Sequence, residues 1–447
     1  MSKKLKKFED IRVVVGLDFG TTFSGFTYCH VEDRQNMSTN ETWPGQLGQF
    51  KTNTVLEYDD DLDKVVLWGY PALTKRPSRN KEKNKRKNVV ELFKLHLGNL
   101  SPKLRNELSV DYKKAITDYL GEIGKCVEET IDVRWKGMKL ENVLFILTVP
   151  AEYDDKAIRI MRECMSDAKL IDDLYSERLQ FTTEPEAAAI YCMENNLKEH
   201  DLTDSGTTFM IVDCGGGTMI RMQLDNSREK SSKPSIMFLV GGFSESKYLQ
   251  KRIKDAFRDH VDNISVPQSP TAAISRGAAM YGLSLYNGED PSIRKGSKSV
   301  IGSRVLKNTY GVDVLRPWSP GDPKERVGLS FFGPSTLYFN IIAKRGTVAK
   351  IDDVFPTEGL TVSPGNPFQT VGEFDIYYTS EYDAEFSNES GMKLLGKLKF
   401  DWDDVHLGFD RSVTFKLSFC EMEITAIATN DLTGQNYHTY FEINTEK

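Results

Sequence analysis

Two short segments of the chain share one chemical design: Asp18-Phe19-Gly20-Thr21-Thr22 and Asp213-Cys214-Gly215-Gly216-Gly217-Thr218. Each puts an acidic residue at the end of an apolar, β-rich run and follows it with a corner of glycine and threonine. Such a corner points several backbone N–H groups at one place, and an anion can come close because nothing bulky intervenes. Two corners facing each other can grip a polyphosphate from both sides. The two aspartates add carboxylates suited to holding Mg²⁺ through its water shell, since that ion usually keeps several waters. No G-x-x-x-x-G-K-[ST] occurs in the chain, so a nucleotide-triphosphate site made this way has no P-loop. The plain alternative for Gly215 to Gly217 is a hairpin bend.

These corners need elements to hold them. Residues 11–31 read as two β-rich runs joined at Gly20-Thr21-Thr22, which predicts a hairpin, and residues 207–224 repeat the pattern. Two copies so far apart predict a duplicated α/β unit with a ligand between the halves. Between them the spacing predicts helices over Asn88 to Gly98 and Ser101 to Arg134, then a buried strand over Val143 to Val149 that stops at Pro150. Asp154 can cap a helix with Ala157, Met161, Met165 and Ala168 on its apolar face, and Pro185 opens another. Ile236 to Val240 predicts a strand running into Gly241-Gly242 and a helix with Tyr248, Leu249, Ile253 and Phe257 inward. Ala272 to Leu285 predicts the last helix. After about residue 290 helical patterns fade, and Thr336 to Ile342, Phe374 to Tyr378, Val413 to Phe419 and Met422 to Ala428 alternate with turns. A β-rich domain over 300–447, joined by a linker at 292–298, is expected.

Five segments, in this order, resemble the ATPase domain of the 70-kDa heat-shock chaperones: Asp18 to Gly25, Thr183 to Ile190, Asp213 to Thr218, Leu239 to Ser246 and Ser269 to Ala279. Phe-Ser-Gly-Phe-Thr-Tyr, Val-Gly-Gly-Phe-Ser-Glu-Ser and Glu-Ile-Thr-Ala-Ile-Ala-Thr are similar to the divergent heat-shock 70 kDa protein 12 branch. The resemblance implies an actin-like, ribonuclease-H-like duplicated α/β nucleotide-binding domain at 11–290, with lobe I at about 11–200 and lobe II at about 201–290. A β-rich, substrate-domain-like module would follow at 300–447. It implies ATP and Mg²⁺ as cofactors. Gly20, Thr21 and Thr22 would hold phosphates from one side, and Gly215, Gly216, Gly217 and Thr218 from the other. Asp18 and Asp213 would position hydrated Mg²⁺, Glu184 would orient a water, and Gly241, Gly242 and Phe243 would approach adenosine. The family's phosphate-binding lysine would be Lys94, for which a solvated helix lysine is the bland alternative.

The resemblance has departures. Only 24 positions separate Gly217 from Gly241, where relatives carry an entire helical subdomain over the adenine and ribose, so lobe II is expected to be truncated. Without that wall ATP binding should weaken, and hydrolysis is open because closure and water exclusion suffer. Thr271 stands where chaperones of this family often carry Asp. The segment near 290–310 lacks their leucine-rich linker, and the chain ends without their helical lid. Two functions stay open: an ATP-binding, chaperone-like protein with peptide or unfolded clients and co-chaperones, and a degenerate, non-catalytic interaction scaffold. A small-molecule kinase of the same superfold shares phosphate loops, but the β-rich tail argues against it.

Composition narrows the rest. With 447 residues, 39% apolar and 28% charged, the chain can bury a full core without disulfide or metal staples. Its longest apolar stretch, Val143 to Ala151, is too short to cross a bilayer, which takes about 20 residues. The start has no apolar h-region, and the six cysteines show no C-x-x-C pair, so a reducing compartment is expected, the cytoplasm first and the nucleus as alternative. Net charge −7 argues against a whole-surface nucleic-acid binder. The basic run from Lys75 to Lys87 reads as a solvated loop or a localisation signal, and the Ser244-x-x-Lys247 match to β-lactamases lacks its companion motifs.

Overall fold

The computed structural model describes residues 10–74, 88–98, 106–174, 176–196, 209–215, 235–261, 263–286, 303–350, 353–402, 404–419 and 424–440. The chain divides into two compact units, Met1–Val300 and Ile301–Lys447.

In the first unit, Val13–Phe19 (β1) and Phe23–His30 (β2) form the expected hairpin in antiparallel register, Asp18 opposite Gly25. Val143–Val149 (β3) lies parallel to β1 on its other side, and Leu179–Thr183 (β4) lies parallel to β3. Every residue of β1, β3 and β4 is buried. That is why these strands read as continuous apolar runs: a parallel sheet covered on both faces leaves no polar side. A second sheet repeats the order. Phe209–Asp213 (β5), Ile236–Val240 (β6) and Asn263–Ser265 (β7) are parallel, with β6 between the others, as β3 lies between β1 and β4. The duplicated α/β arrangement is thus present. The expected second arm of the hairpin at 207–224 lies outside the described residues.

Helices cover the sheets. Tyr112–Arg134 (α1) starts where Asp111 accepts the N–H groups of Lys113 and Lys114, so residues 106–111 precede the helix instead of belonging to it, and the expected start at Ser101 lies outside the described residues. Asp154 caps Asp155–Asp167 (α2) by accepting from Ala157 N at 2.9 Å. At the start of Glu184–Asn196 (α3), Thr183 and Glu186 exchange hydrogen bonds as a capping box, which turns β4 sharply into the helix. Lys247–Phe257 (α4) buries Ile253, with Leu249 and Phe257 on the same face. Tyr248 is 71% exposed because it stands one position off that stripe, contrary to the sequence expectation. Asn88 to Gly98 is also not a helix. Val89 and Val90, both β-branched, extend a strand beside Val55–Tyr58, and a single 3₁₀ turn follows at Phe93–His96.

Ala273–Tyr286 (α5) crosses under β1 and against α3, and its small residues make this possible. A Cβ at Gly277 would stand 1.7 Å from the Ala187 carbonyl oxygen, and one at Gly16 would stand 2.3 Å from the Ser275 oxygen. The backbones touch where side chains would normally separate them.

The second unit is a β-sandwich. Thr309–Pro317 (β8), Gly328–Ser330 (β9), Gly333–Ala343 (β10), Val371–Thr379 (β12) and Lys393–Asp401 (β13) form one sheet, in the order β9-β10-β8-β12-β13. Val354–Val362 (β11), Val413–Ser418 (β14), Thr425–Asn430 (β15) and Asn436–Tyr440 (β16) form the other. Val312, Phe374 and Phe400 of the first sheet meet Val413, Phe415 and Ala428 of the second in one core. Strict alternation of buried and half-buried residues along β14 and β15 is the period-2 signal read in the sequence.

Two glycines separate the effects of space and strain. Gly277→Ala should destabilise the protein by roughly 1–3 kcal/mol, since helix α5 must move away from Ala187. Gly121→Ala, inside α1 with open space around its Cβ, should stabilise by about 0.5–1 kcal/mol. Urea unfolding of both variants checks the pair, and equal effects would show that the α3–α5 contact does not limit packing.

Candidate functional site

Parallel α/β sheets gather functional groups at the carboxyl ends of their strands. Here β1 ends with Asp18 and Phe19, β4 leads into Glu184, β5 ends with Asp213, and β6 leads into Gly241. Charged side chains at these ends influence one another across the unit.

Asp18 is 2% exposed and paired with Lys51, whose Nζ lies 2.5 Å from Oδ2. Burial works to lower the Lys51 ammonium, but Asp18, with Asp213 and Glu184, outweighs it, so Lys51 is held above its ordinary value. Lys94 is 3% exposed. Its Nζ donates to Phe19 O at 2.5 Å and to Glu184 Oε1 at 2.7 Å. It reaches inward because Phe93, fully buried against Phe19 and Tyr119, anchors the 3₁₀ turn that carries it. The bland reading of Lys94 as a solvated helix lysine therefore fails. Tyr153 closes over the same lysine, 5.9 Å from ring centroid to Nζ.

Asp213 is the perturbed carboxyl of the group. Burial pushes it up from its ordinary 3.8 to about 6; Asp18 and Glu184 add repulsion, while Lys51 and Lys94 pull the other way. Gly241 stands against it with φ +84, and a Cβ there would meet Asp213 Oδ1 at 2.1 Å. No other residue type fits at that position. Gly241 N donates to Pro270 O and Phe243 N to Cys214 O, so the two segments lock together. Phe243 is 59% exposed, and Thr271 donates to Glu245 Oε1 at 2.7 Å.

The first corner is equally fixed. Gly20 N donates to Ser24 Oγ, Thr54 Oγ1 donates to Gly20 O, and Thr54 N donates to Thr22 O. Thr21 and Thr22 are half-buried at its rim. Gly215 stands two positions after Asp213, and the nearest atoms to its ideal Cβ are the Asp213 carboxylate oxygens at 3.7 Å. Gly216, Gly217 and Thr218 lie outside the described residues.

Asp18, Lys94, Glu184, Asp213 and Gly241 are thus brought into one electrostatic neighbourhood. Sequence reasoning missed Lys51, Thr54 and Tyr153. Thr52 and Thr54 carried a weak signal as buried hydroxyl residues flanking a short strand, but nothing in the spacing marks Lys51. Three carboxylates at strand ends, one held protonation-prone by burial, suit a hydrated divalent cation bound through water and the negative ligand it accompanies. Among the described residues no three His, Cys, Asp or Glu side chains stand close enough to ligate an ion directly.

The second unit carries a different surface. Phe331 and Phe332 are 64% and 62% exposed at the β9–β10 turn, and both rings lean on Phe409, at 5.4 and 5.1 Å between centroids. Leu329 beside them is 90% exposed. Arg326 braces the segment by stacking 3.9 Å over the Phe386 ring. Exposed aromatic clusters of this kind mark binding surfaces more often than accidents of packing.

The sign of the Asp213 shift makes a stability prediction. A carboxyl whose folded pKa lies above its unfolded one favours folding when protonated, so its cost grows as pH rises from about 3.8, where the unfolded carboxyl ionises, and is complete above about 6. Asp213→Asn should therefore melt a few degrees above wild type at about pH 7.5 and show no gain at about pH 4 in ligand-free melts. A difference independent of pH would contradict the assignment.

Comparison with known proteins agrees with the motifs. No protein-family model matches the chain. Heat shock 70 kDa protein 12A of Homo sapiens is 26% identical over 234 residues, 48% of this chain and 30% of that protein. The Mus musculus 12A protein is 28% identical over the same shares, and human heat shock 70 kDa protein 12B is 29% identical over 51% of this chain and 35% of its own length. The match spans about a third of these relatives. Among solved structures, a non-polymerising mutant of MamK bound to AMPPNP covers 60% of the chain at 11% identity and TM-score 0.35. MreB 5 of Spiroplasma citri bound to AMPPNP covers 64% at 12% identity and TM-score 0.36; the chain spans 98% and 99% of these two structures respectively. Over about half its length, then, this chain is related in sequence to the heat shock 70 kDa protein 12 branch of the 70-kDa heat-shock family.

Proposed function

We propose that residues 11–290 form a nucleotide-binding domain that holds Mg·ATP between the Gly20 and Gly215 corners, and that residues 300–447 form a module binding peptide or unfolded clients. The observation that carries the nucleotide reading is the pairing of Asp213 with Gly241. A carboxylate is held in a protonation-prone site, and the neighbouring residue is stripped of its side chain and set at positive φ against it. The relatedness to heat shock 70 kDa protein 12 proteins supports the same reading.

The residues divide the work. Gly20, whose own N–H is held by Ser24 Oγ, would let the phosphates approach the backbone N–H groups of Thr21 and Thr22, with Gly215, Gly216, Gly217 and Thr218 opposite. Asp18 and Asp213 would orient the waters of the metal, which when bound neutralises charge on the phosphates. Lys94, buried and already engaged by Phe19 O and Glu184, would stabilise negative charge on the terminal phosphoryl group. Glu184 would hold a water in line for attack, its orientation set by Lys94 and by the capping box beneath it. Gly241 and Gly242 would let the adenosine approach, with Phe243 beside it. Phosphoryl transfer needs little beyond such positioning and charge neutralisation.

A second reading, an interaction protein whose ATPase part is a scaffold, is favoured by the Phe331, Phe332 and Phe409 cluster, which needs no nucleotide to be exposed. The two readings make different demands on one experiment. Isothermal calorimetry with Mg·ATP should give measurable binding that weakens at least tenfold in Lys94→Ala. A hydrophobic peptide should bind the full chain and lose affinity in Phe331→Ser/Phe332→Ser. Peptide binding unaffected by ATP, with no heat from ATP itself, would leave the scaffold reading alone standing.

A further inference from the structure

The lysine that sequence reasoning did not find changes what the site can hold. Lys51 Nζ sits 2.5 Å from Asp18 Oδ2, with only 15% of its side chain exposed, and its charge is felt by Asp213 as well. It is held there from its own stem: the Lys51 Cγ packs 3.0 Å from where a Cβ at Gly25 would lie, so the glycine opposite Asp18 in the hairpin is what lets the side chain run along β2 into the site. With Lys94 on Glu184, the three carboxylates Asp18, Glu184 and Asp213 already meet two ammonium groups, leaving a formal charge of −1. An ammonium in direct contact with a buried carboxylate fills the place a divalent ion would otherwise claim, and a buried pair of this kind is strongly destabilised when one partner is removed.

We propose that Lys51 is a resident cation of this site. It engages the Asp18 carboxylate directly, so that of the two aspartates assigned above to the metal's waters only Asp213 is left to face the ion, and it presents a second ammonium beside Lys94 to the phosphates. Binding of a nucleoside triphosphate here then depends only weakly on a divalent ion. The inference rests on the nucleotide reading above for its phosphate arm, whereas its cation arm stands on the Lys51–Asp18 contact alone.

Melting without nucleotide tests the cation arm. Wild type should melt at the same temperature in EDTA and in millimolar MgCl₂. Lys51→Met, which leaves Asp18 buried and uncompensated, should melt lower in EDTA and regain at least half of the loss with MgCl₂. Lys51→Met/Asp18→Asn, with neither charge, should melt near wild type and ignore MgCl₂, which guards against a single variant that fails to fold. Lys51→Arg should behave as wild type. A wild type stabilised by MgCl₂ as much as Lys51→Met, or a Lys51→Met protein indifferent to it, overturns the proposal. Calorimetry with ATP tests the phosphate arm: wild-type affinity in EDTA should stay within about threefold of that in MgCl₂, and Lys51→Met should lose tenfold or more in EDTA. A tenfold or larger loss in wild type overturns the weak metal dependence. If wild type binds no ATP in either buffer while the melting pattern holds, the nucleotide reading fails and the cation assignment is upheld.

Discussion

Like charges at the carboxyl ends of parallel strands set the terms for the first unit. Asp18 ends β1, Glu184 opens α3 directly after β4 of the same sheet, and Asp213 ends β5 of the second sheet, with Asp18 buried and the other two half-buried. Carboxylates so placed repel, and the fold tolerates them because Lys51 and Lys94 are inserted among them. Much of the surrounding architecture can be read as the means of delivering those two ammonium groups. Phe93 anchors a 3₁₀ turn in the aromatic cluster so that Lys94 points inward, and Gly25 clears a path for the stem of Lys51. Burial raises the pKa of Asp213 most, with repulsion from Asp18 and Glu184 added and the pull of Lys51 and Lys94 set against it. A group left in this state is suited to a ligand that brings its own cation.

Close backbone approach does the complementary work. Gly241 admits the Asp213 carboxylate, Gly16 and Gly277 let α5 lie against β1 and α3, and the Gly20 corner is tied by Ser24 and Thr54. A rigid floor follows, because these contacts join main-chain atoms, short hydroxyl side chains and the one Asp213 carboxylate, all with little freedom to lose. Preorganised donors of this sort bind an anion without a cost of reorganisation. The sandwich of the second unit obeys a different rule, in which alternation along each strand separates a shared apolar core from a polar exterior. The Phe331, Phe332 and Phe409 cluster breaks that rule at one turn.

Strand identity was legible wherever burial on both faces left an uninterrupted apolar run, as in Val143 to Val149, and helix starts were legible at Asp154 and Pro185 through their capping chemistry. The glycine-threonine corners announced themselves because their composition has few other uses. What the sequence hid was everything fixed by tertiary contact. Asn88 to Gly98 has a helical spacing, yet Val89 and Val90 gain more as a strand beside Val55–Tyr58. Tyr248 sits one position from an apolar stripe and faces out. Lys51 looks like any surface lysine, since nothing local says that Asp18 will be its partner across a turn of the chain. Lys94 could be nominated only by resemblance, and its burial comes from Phe93, a neighbour whose own role depends on Phe19 and Tyr119.

The central claim is that the two corners serve one ligand. Hydrogen–deuterium exchange with and without ATP reads both at once. The account predicts slowed exchange at amides 18–25 and at 213–215 with 241–244 in the same complex, rising together as ATP is titrated. Protection of one corner without the other, or protection confined to residues 301–447, would contradict it.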